Sequence, residues 1–298
     1  MSRSRDARVP GDRDDRTPGD MGLFGPDSVT WKLHREPILM LGGLRSLYMQ
    51  ALHPRAVAGV AQNSGYRTDM WGRLIRTSGY VATVIYGSTA EVTEASARLR
   101  RLHAGMRGVD PRTGESFRID DPDLLRWVHV AEVESFLTTA LRAGVRLTPD
   151  EIDAYYTEQL RAAALVGLDP ATVPGTAAEV ADFYAAIRPE LGLTRDGAEA
   201  AMLLTVPPIP DSWGNRAVRL GLTLGPTRWA YLSLASTAIG LLPPWARRLY
   251  GAPGWPVTDL AAGLSARGLR TLLAGVLAVL PDEYRISPAQ RAALQRVG

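Results

Sequence analysis

The chain contains no cysteine, and this absence removes several classes of site. Disulfide bonds, thiolate zinc sites, iron–sulfur clusters and thiolate-ligated haem all require a cysteine sulfur. The lack of cysteine is compatible with a reducing cytosol. Residues 1–20 are polar and lack the apolar run of a secretory signal, so we expect a cytoplasmic protein.

Lysine is almost as scarce, because Lys32 is the only one and arginine carries nearly all of the positive charge. GC-rich codon usage is the ordinary explanation of such a bias. The functional alternative is that arginine is used for planar, bidentate partners such as carboxylate and phosphate. The net charge is only +3 and the acidic residues are interspersed, so the sequence predicts no nucleic-acid partner.

No apolar run reaches the ~20 residues that a membrane-spanning helix needs. The two longest apolar stretches are 229–245 and 269–280. We interpret both as buried core helices, with peripheral membrane contact as the alternative. Short catalytic motifs are also lacking: there is no HExxH and no GxSxG, and Gly42-Gly43 is too short for a phosphate loop.

The remaining pattern predicts an all-α fold. Sustained period-2 alternation is missing, and proline and glycine recur at intervals typical of helix ends. We expect a disordered polar tail at 1–20 and a single globin-like helical domain at 21–298, with additional helices towards the C-terminus. One helix is expected to run from Ser88 to Gly108 and to be followed by a polar loop over 109–120.

Four histidines dominate any argument about a metal: His34, His53, His103 and His129. In a helix, Arg100, His103 and Arg107 would share one face. Flanking guanidinium groups disfavour a protonated imidazole, and a neutral imidazole is what an iron ligand must be. The same arginines would suit the two propionates of a haem, and the small residues after His103 would let a flat ring approach.

The upstream helix offers a matching stripe. Arg73, Arg76, Thr77 and Tyr80 lie at i, i+3, i+4 and i+7 and so share one face. The alternative interpretation is that both Arg-rich faces are simply solvated. By the same standard, His53 would be a hydrogen-bonding residue at a helix end, and the other histidines outside the stripe would be structural.

Several motifs in order resemble one known family. They are Gln50-Ala-Leu-His53-Pro-Arg-Ala-Val-Ala-Gly-Val60, Asn63-Ser-Gly-Tyr66, Gly72-Arg73-Leu-Ile-Arg76-Thr77, Leu102-His103-Ala-Gly-Met-Arg107-Gly108, and Asp121-Pro122 with Trp127-Val-His129. This resembles the MpaB-like oxygenases and rubber-cleaving latex-clearing proteins, once called DUF2236. The likeness is continuous over about residues 23–145 and looser beyond.

The resemblance implies a non-covalent haem b whose iron is bound by His103. It implies cofactor-binding roles for Arg73, Arg76, Arg100, Arg107 and His129. Thr77 and His53 are expected on the opposite side of the haem, where dioxygen and an apolar substrate such as a lipid, terpenoid or polyketide would meet. The resemblance therefore predicts a haem-dependent oxygenase.

This chain departs from the rubber cleavers at three places. Arg76 stands where they carry a lysine, Asn63 stands where many members carry histidine, and no carboxylate near Ala56 and Val57 matches their catalytic glutamate. Rubber cleavage itself is therefore not expected. The alternatives are a non-catalytic protein that carries or senses haem or another small ligand, and an Arg-rich interaction module without a cofactor.

Overall fold

The computed structural model describes residues 19–297, without the side chains of Asp211, Asp282 and Tyr284. The first 18 residues of the predicted tail lie outside this part. The helices are α1 (Val29–His34), α2 (Leu39–Gln50), α3 (Pro54–Asn63), α4 (Met70–Tyr86), α5 (Thr89–Gly105), α6 (Pro122–Arg142), α7 (Pro149–Leu165), α8 (Ala177–Ile187), α9 (Arg195–Thr205), α10 (Arg216–Leu224), α11 (Pro226–Gly240), α12 (Pro244–Leu249), α13 (Pro256–Val279), α14 (Asp282–Arg285) and α15 (Pro288–Val297). The strands are β1 (Arg107–Val109) and β2 (Ser116–Arg118), and short 3₁₀ turns occur at Pro170–Thr172, Arg188–Glu190 and Asp211–Trp213. The all-α prediction is confirmed, because these two strands are the only β-structure in the described residues.

Local sequence explains where several helices begin and end. Pro149 occupies the first turn of α7, where its missing N–H costs nothing. Thr148 accepts a hydrogen bond from the Glu151 N–H, and the Glu151 carboxylate accepts one from the Thr148 N–H, which closes a capping box. Helix α6 ends at Arg142, and Gly144 just beyond it has φ +90°. This left-handed conformation suits glycine and stops the helix.

The predicted helix over 88–108 is too long, and the predicted polar loop after it is a β-hairpin. Helix α5 ends at Gly105, and the chain enters β1, which pairs antiparallel with β2. Phe117 is the alternating inward residue of β2 and is buried with Ala58 and Leu124. Burial of this ring against α3 stabilises the hairpin, and this favours ending helix α5 at Gly105.

The centre of the molecule is the packing of α2 on α6. A Cβ atom at Gly42 would lie 3.1 Å from the Phe136 Cα and 3.2 Å from the Ser135 carbonyl oxygen. Glycine at this position therefore lets the two helix backbones approach closely. The Gly42-Gly43 pair, unsuited to a phosphate loop, is explained by this contact.

An ion pair crosses the same interface. Arg45 is 1% exposed and donates two hydrogen bonds to the Glu134 carboxylate, at 2.6 and 3.0 Å. It donates further bonds to the Ser135 hydroxyl at 2.6 Å and to the Leu241 carbonyl at 3.0 Å. Because every contact spans two elements, the guanidinium fixes α2, α6 and the end of α11 to one another.

The prediction that 269–280 forms a buried core helix is wrong. The stretch lies in α13, where Leu269 and Leu273 pack against the core cluster but Leu272 and Val279 are 63% and 83% exposed. The other predicted core helix, at 229–245, is only partly buried. Ala235 and Ala238 of α11 are buried, whereas Trp229 is 68% exposed. The C-terminal helices therefore present apolar side chains outward as well as inward.

Replacing Arg45 by methionine tests the ion pair across α2 and α6. We expect Arg45→Met to lower the free energy of unfolding by about 3–5 kcal/mol, because the Glu134 carboxylate would stay buried without its cation. Chemical denaturation measures the change. Lys32→Met is the control, since the ion pair of Lys32 with Glu151 is largely exposed and should leave the midpoint unchanged. Equal effects of the two substitutions would contradict this account.

Candidate active site between α4, α5 and α6

The stripe predicted on α4 exists, but its four members do not act together. Arg73 and Tyr80 are half-buried, and Thr77 is exposed between them. Arg76 has a 68% exposed side chain and pairs with Asp69, the N-cap of α4, at 3.0 Å. The structure thus gives Arg76 a local partner at the start of the helix, and its predicted cofactor-binding role stays a prediction.

Arg73 is the unusual cation of this group. It is half-buried, and within residues 19–297 its guanidinium has neither a hydrogen bond nor an ion pair. Burial lowers the pKa of Arg73, and the Arg76 charge lowers it further. The nearby Tyr66 hydroxyl is buried and also lacks a partner. A poorly solvated cation beside an unsatisfied hydroxyl is a site that would gain from an anion.

His103 faces this cation from α5. Its imidazole is half-buried, and burial lowers its pKa below the usual 6.5. The Arg73 charge acts in the same direction, while Asp120 opposes it. Arg73 on α4 and His103 on α5 therefore interact electrostatically, and burial favours the neutral form of the imidazole, which can offer a nitrogen lone pair to a metal.

Tyr80 on α4 interacts with residues of both α5 and α6. Its hydroxyl lies 3.4 Å from the Ser96 hydroxyl on α5, and burial raises its pKa. Glu132 on α6 raises the pKa of Tyr80 further, and Arg100 lowers it. The electrostatic coupling shows that Glu132 of α6 lies within reach of the side of α4 that carries the stripe.

His129 and Glu132 lie one turn apart on α6 and share a setting. Burial lowers the pKa of His129 to about 4 and raises that of Glu132 to about 7. Both side chains nevertheless keep some accessible surface, as do Leu74 and Val81, which face the core from α4. Glu132 of α6, together with Leu74 and Val81 of α4, therefore marks a candidate binding region between these two helices, and we call this region the cleft.

A small gap lies between α6, α7 and α8. It is lined by His129, Tyr156, Gln159 and Val180 among others and leaves essentially no room for a water molecule. Cofactor pockets have about 300–1,000 Å³. This gap is therefore too small for a porphyrin, and it does not supply the cofactor-binding role predicted for His129.

Two predicted arginines have other partners. Arg100 donates to the Leu165 carbonyl at 2.9 Å and so caps the C-terminus of α7. Arg107 donates to the carbonyls of Ala104 and Met106 at 2.9 and 2.8 Å. The prediction that Arg107 shares a helical face with His103 is wrong, because α5 has ended before it. Propionate-binding roles for both arginines stay predictions.

His53 has the helix-end role that was its alternative interpretation. It is 4% exposed, and its Nδ1 accepts from the Ala56 N–H at 3.4 Å as the N-cap of α3. Burial lowers its pKa to about 4, and Arg112 and Arg55 add to this effect. The charged groups that act on His103 are different ones. The structure does not bring the two imidazoles together, and the distal role of His53 stays a prediction.

Glu132 and Tyr66 were missed in the sequence. Glu132 follows His129 by three residues, a spacing that places both on one face of a helix. That spacing was a usable signal. Tyr66 ends the Asn63-Ser-Gly-Tyr66 motif of the family resemblance, but no spacing predicts its buried, unpartnered hydroxyl, which depends on how the start of α4 packs.

The donor set suits a haem better than a bare metal ion. No group of three or more histidine or acidic side chains within the described residues could hold a metal. A haem needs only one or two protein ligands, because the porphyrin supplies four nitrogens, and its propionates need cations. A neutral His103 beside the unpartnered Arg73 meets both needs, so these residues fit the group.

Glu132→Gln tests whether the Glu132 carboxyl is held in an unfavourable setting. The unfolded carboxyl ionises near 4.5 and the folded one near 7, so the native state loses stability as pH rises between these values. We expect the variant to unfold with about 1–3 kcal/mol more free energy than the parent at pH 8, but with little gain near pH 5. Denaturant titrations at both pH values measure this.

The control for that experiment is Glu94→Gln, on the exposed side of α5. This variant should match the parent at both pH values. An equal gain from Glu132→Gln at both pH values would mean that packing, rather than ionisation, is responsible, and would refute the pKa assignment.

One family of known proteins matches most of the chain. The family model described as ER-bound oxygenase mpaB/B'/Rubber oxygenase, catalytic domain, matches residues 31–276. We find no significant match to a curated protein or to a solved structure. The matched segment includes every element that contributes to the site, from α2 to α6. The chain belongs to the mpaB/rubber oxygenase catalytic-domain family.

Proposed function

We propose that this protein is a haem b-dependent oxygenase that acts on an apolar small molecule. The observation that supports it best is that a half-buried imidazole, His103, whose pKa is lowered by burial, lies near a half-buried and unpartnered cation, Arg73. The family supplies the oxygenase class. The haem and the substrate class are our own inferences from the residues.

His103 is the proposed iron ligand. The end of α5 leaves room for a flat ring, because Ala104 and Gly105 are small and exposed and a Cβ atom at Gly105 would meet nothing within 4 Å. Burial lowers the pKa of His103 and so favours its neutral form, and the Arg73 charge acts in the same direction. A bound haem would supply the chemistry of dioxygen activation, and the protein would fix its orientation.

Arg73 is the proposed partner of a propionate. A half-buried guanidinium without an anion is costly, and a carboxylate would relieve that cost through charge-assisted hydrogen bonds. The buried Tyr66 hydroxyl could donate to the same carboxylate. One acidic arm of the porphyrin would thus satisfy two groups that the protein itself leaves without partners.

Glu132 is the proposed proton-handling residue. A carboxyl with a pKa near 7 holds a proton part of the time at neutral pH and can both donate and accept one. The Glu132 charge acts on Tyr80, whose hydroxyl also contacts that of Ser96. This carboxyl would serve in place of the glutamate that the rubber cleavers carry and this chain lacks. Thr77 is the proposed hydrogen-bond donor to dioxygen.

The substrate is proposed to be apolar because of the walls of the cleft. Leu74 and Val81 on α4 and Val128 on α6 are apolar and keep accessible surface. A lipid, terpenoid or polyketide would suit such a wall.

His103→Ala tests the iron ligand. Purified or haem-reconstituted parent should show a Soret band with about one haem per chain, and the variant should lose most of this band while keeping its helical circular dichroism. His53→Ala and His129→Ala are the comparisons, and both should retain it. A band that survives in His103→Ala but disappears in either comparison would assign the ligand elsewhere.

The same preparation separates an oxygenase from a haem carrier. The reduced, loaded protein should react with dioxygen or peroxide, as followed by its visible spectrum. A protein that binds haem through His103 yet shows no such reaction would be the non-catalytic carrier or sensor. A protein that cannot be loaded at all would refute the haem proposal.

Arg73→Met tests the propionate contact. Losing hydrogen bonds to a charged group should weaken haem binding by about 10–100-fold, measured by transfer of haem to an apo-acceptor protein. Arg101→Met is the matched control, because Arg101 is exposed and lies two residues from His103 on α5, pointing away from it. Equal weakening by both substitutions would indicate a general charge effect and exclude a specific contact.

A further inference from the structure

The outward side of α13 is apolar along its whole length. Val257, Leu260, Leu264, Leu272 and Val279 are 56–83% exposed and fall on one helical face. The opposite face packs inward, with Ala262 and Ala266 buried. A helix with one face in the core normally carries polar residues on its exposed face. The exposed face of α13 carries large apolar residues instead.

The neighbouring helices continue this character. Helix α11 contacts both α10 and α13. Leu220 and Leu224 of α10 are 57% and 69% exposed, and Trp229 of α11 and Trp255 before α13 are 68% and 65% exposed. We call the exposed apolar residues of these three helices, together with Trp255, the apolar face. Extended apolar surface of this kind marks an interaction site.

The charges within residues 212–281, the segment that carries the apolar face, are almost all positive. Residues 212–281 contain seven arginines and a single acidic residue, Asp259. Asp259 is already occupied by the buried Arg247 at 2.8 Å. Arg216, Arg248 and Arg267 are exposed. Arginines, tryptophans and leucines without carboxylates are the composition of helices that lie in the surface of an anionic bilayer.

We propose that the apolar face docks on the surface of a membrane that contains anionic lipids. The exposed leucines and valines would enter the acyl region, the tryptophans would lie at the headgroup level, and the arginines would meet lipid phosphates. This proposal rests on the C-terminal helices alone and is independent of the haem.

Helix α13 lies on the membrane in this proposal and does not cross it. By length and composition it is the one helix of the described residues that could span a bilayer, and only 17% of its apolar window is buried. However, its inner face contacts α6 and α11. Arg270, on the same helix, makes two 2.8 Å hydrogen bonds with Glu36. Spanning would break these contacts and would place Arg267 and Arg270 in hydrocarbon.

A second copy of the chain is a less suitable occupant. In a two-fold dimer the same surface meets itself, so the arginines of one apolar face would approach those of the other. The one carboxylate within residues 212–281, that of Asp259, is paired with Arg247 and so is not available to compensate. Lipid phosphates supply the missing negative charge, and a second copy does not.

Vesicle flotation of the full-length protein tests the proposal. The parent should float with vesicles of equal parts phosphatidylcholine and phosphatidylglycerol, float less as salt is raised, and float less with phosphatidylcholine alone. The double variant Leu264→Glu, Leu272→Glu should partition at least about tenfold more weakly. Arg216→Gln combined with Arg267→Gln should weaken binding to the anionic vesicles only.

The control is Val109→Glu, which adds a charge at a 47% exposed residue of the β1–β2 hairpin, outside the apolar face. It should float like the parent, and all variants should keep the parental unfolding temperature. Failure of the parent to float with any vesicle, or equal flotation of the control and the leucine variants, would overturn the proposal. So would a dimer in size-exclusion chromatography that the leucine variants dissociate, because a second copy would then occupy the face.

Discussion

The guanidinium of Arg73 is partly withdrawn from water and has no anion within the described residues, and the candidate site is arranged around it. Burial lowers the pKa of the neighbouring His103 and so favours the neutral imidazole that a metal ligand requires; the Arg73 charge adds to this effect, and Asp120 opposes it. The partial desolvation of Arg73 lowers the stability of the native state, because no partner compensates for it. Favourable interactions elsewhere in the protein must offset this cost. A ligand that brings carboxylates and an open coordination position would remove the cost and use the imidazole at once.

The structure contains a contrast that shows how unusual this is. Arg45 is more deeply buried than Arg73, yet it has a bidentate carboxylate and two further acceptors. Arg45 is satisfied by the protein and holds α2 on α6, whereas Arg73 is left unsatisfied. Glu132 is the acidic counterpart of Arg73, because burial raises its pKa and no ion pair compensates. Groups that cost stability in the native state are typical of functional sites.

The sequence was informative where local chemistry determines the outcome. Proline and capping residues located helix starts such as that of α7, and the helical spacing placed Arg73 and His103 on α4 and α5, where the structure has them. It failed where tertiary contacts decide. Helix α5 ends where it does because Phe117 packs against α3. No residue between His103 and Arg107 indicates this helix end in the sequence. The partners of Arg76 and Arg100 are likewise set by which carboxylate or carbonyl lies nearest in space. Burial of α13 was misjudged because an apolar run looks the same in a core and on a membrane-facing surface.

The apolar face and the cleft become related if the substrate is a lipid-like molecule. Such a molecule is concentrated in a bilayer and scarce in water, so a soluble enzyme would depend on the small dissolved fraction. An enzyme that rests on the membrane would meet its substrate at high local concentration. Helix α13 contacts α6, the helix that carries Glu132, and α11 contacts α2, which packs on α6. The helices that would contact lipid are therefore one packing layer from the helix that lines the cleft, and the route from bilayer to cleft would be short.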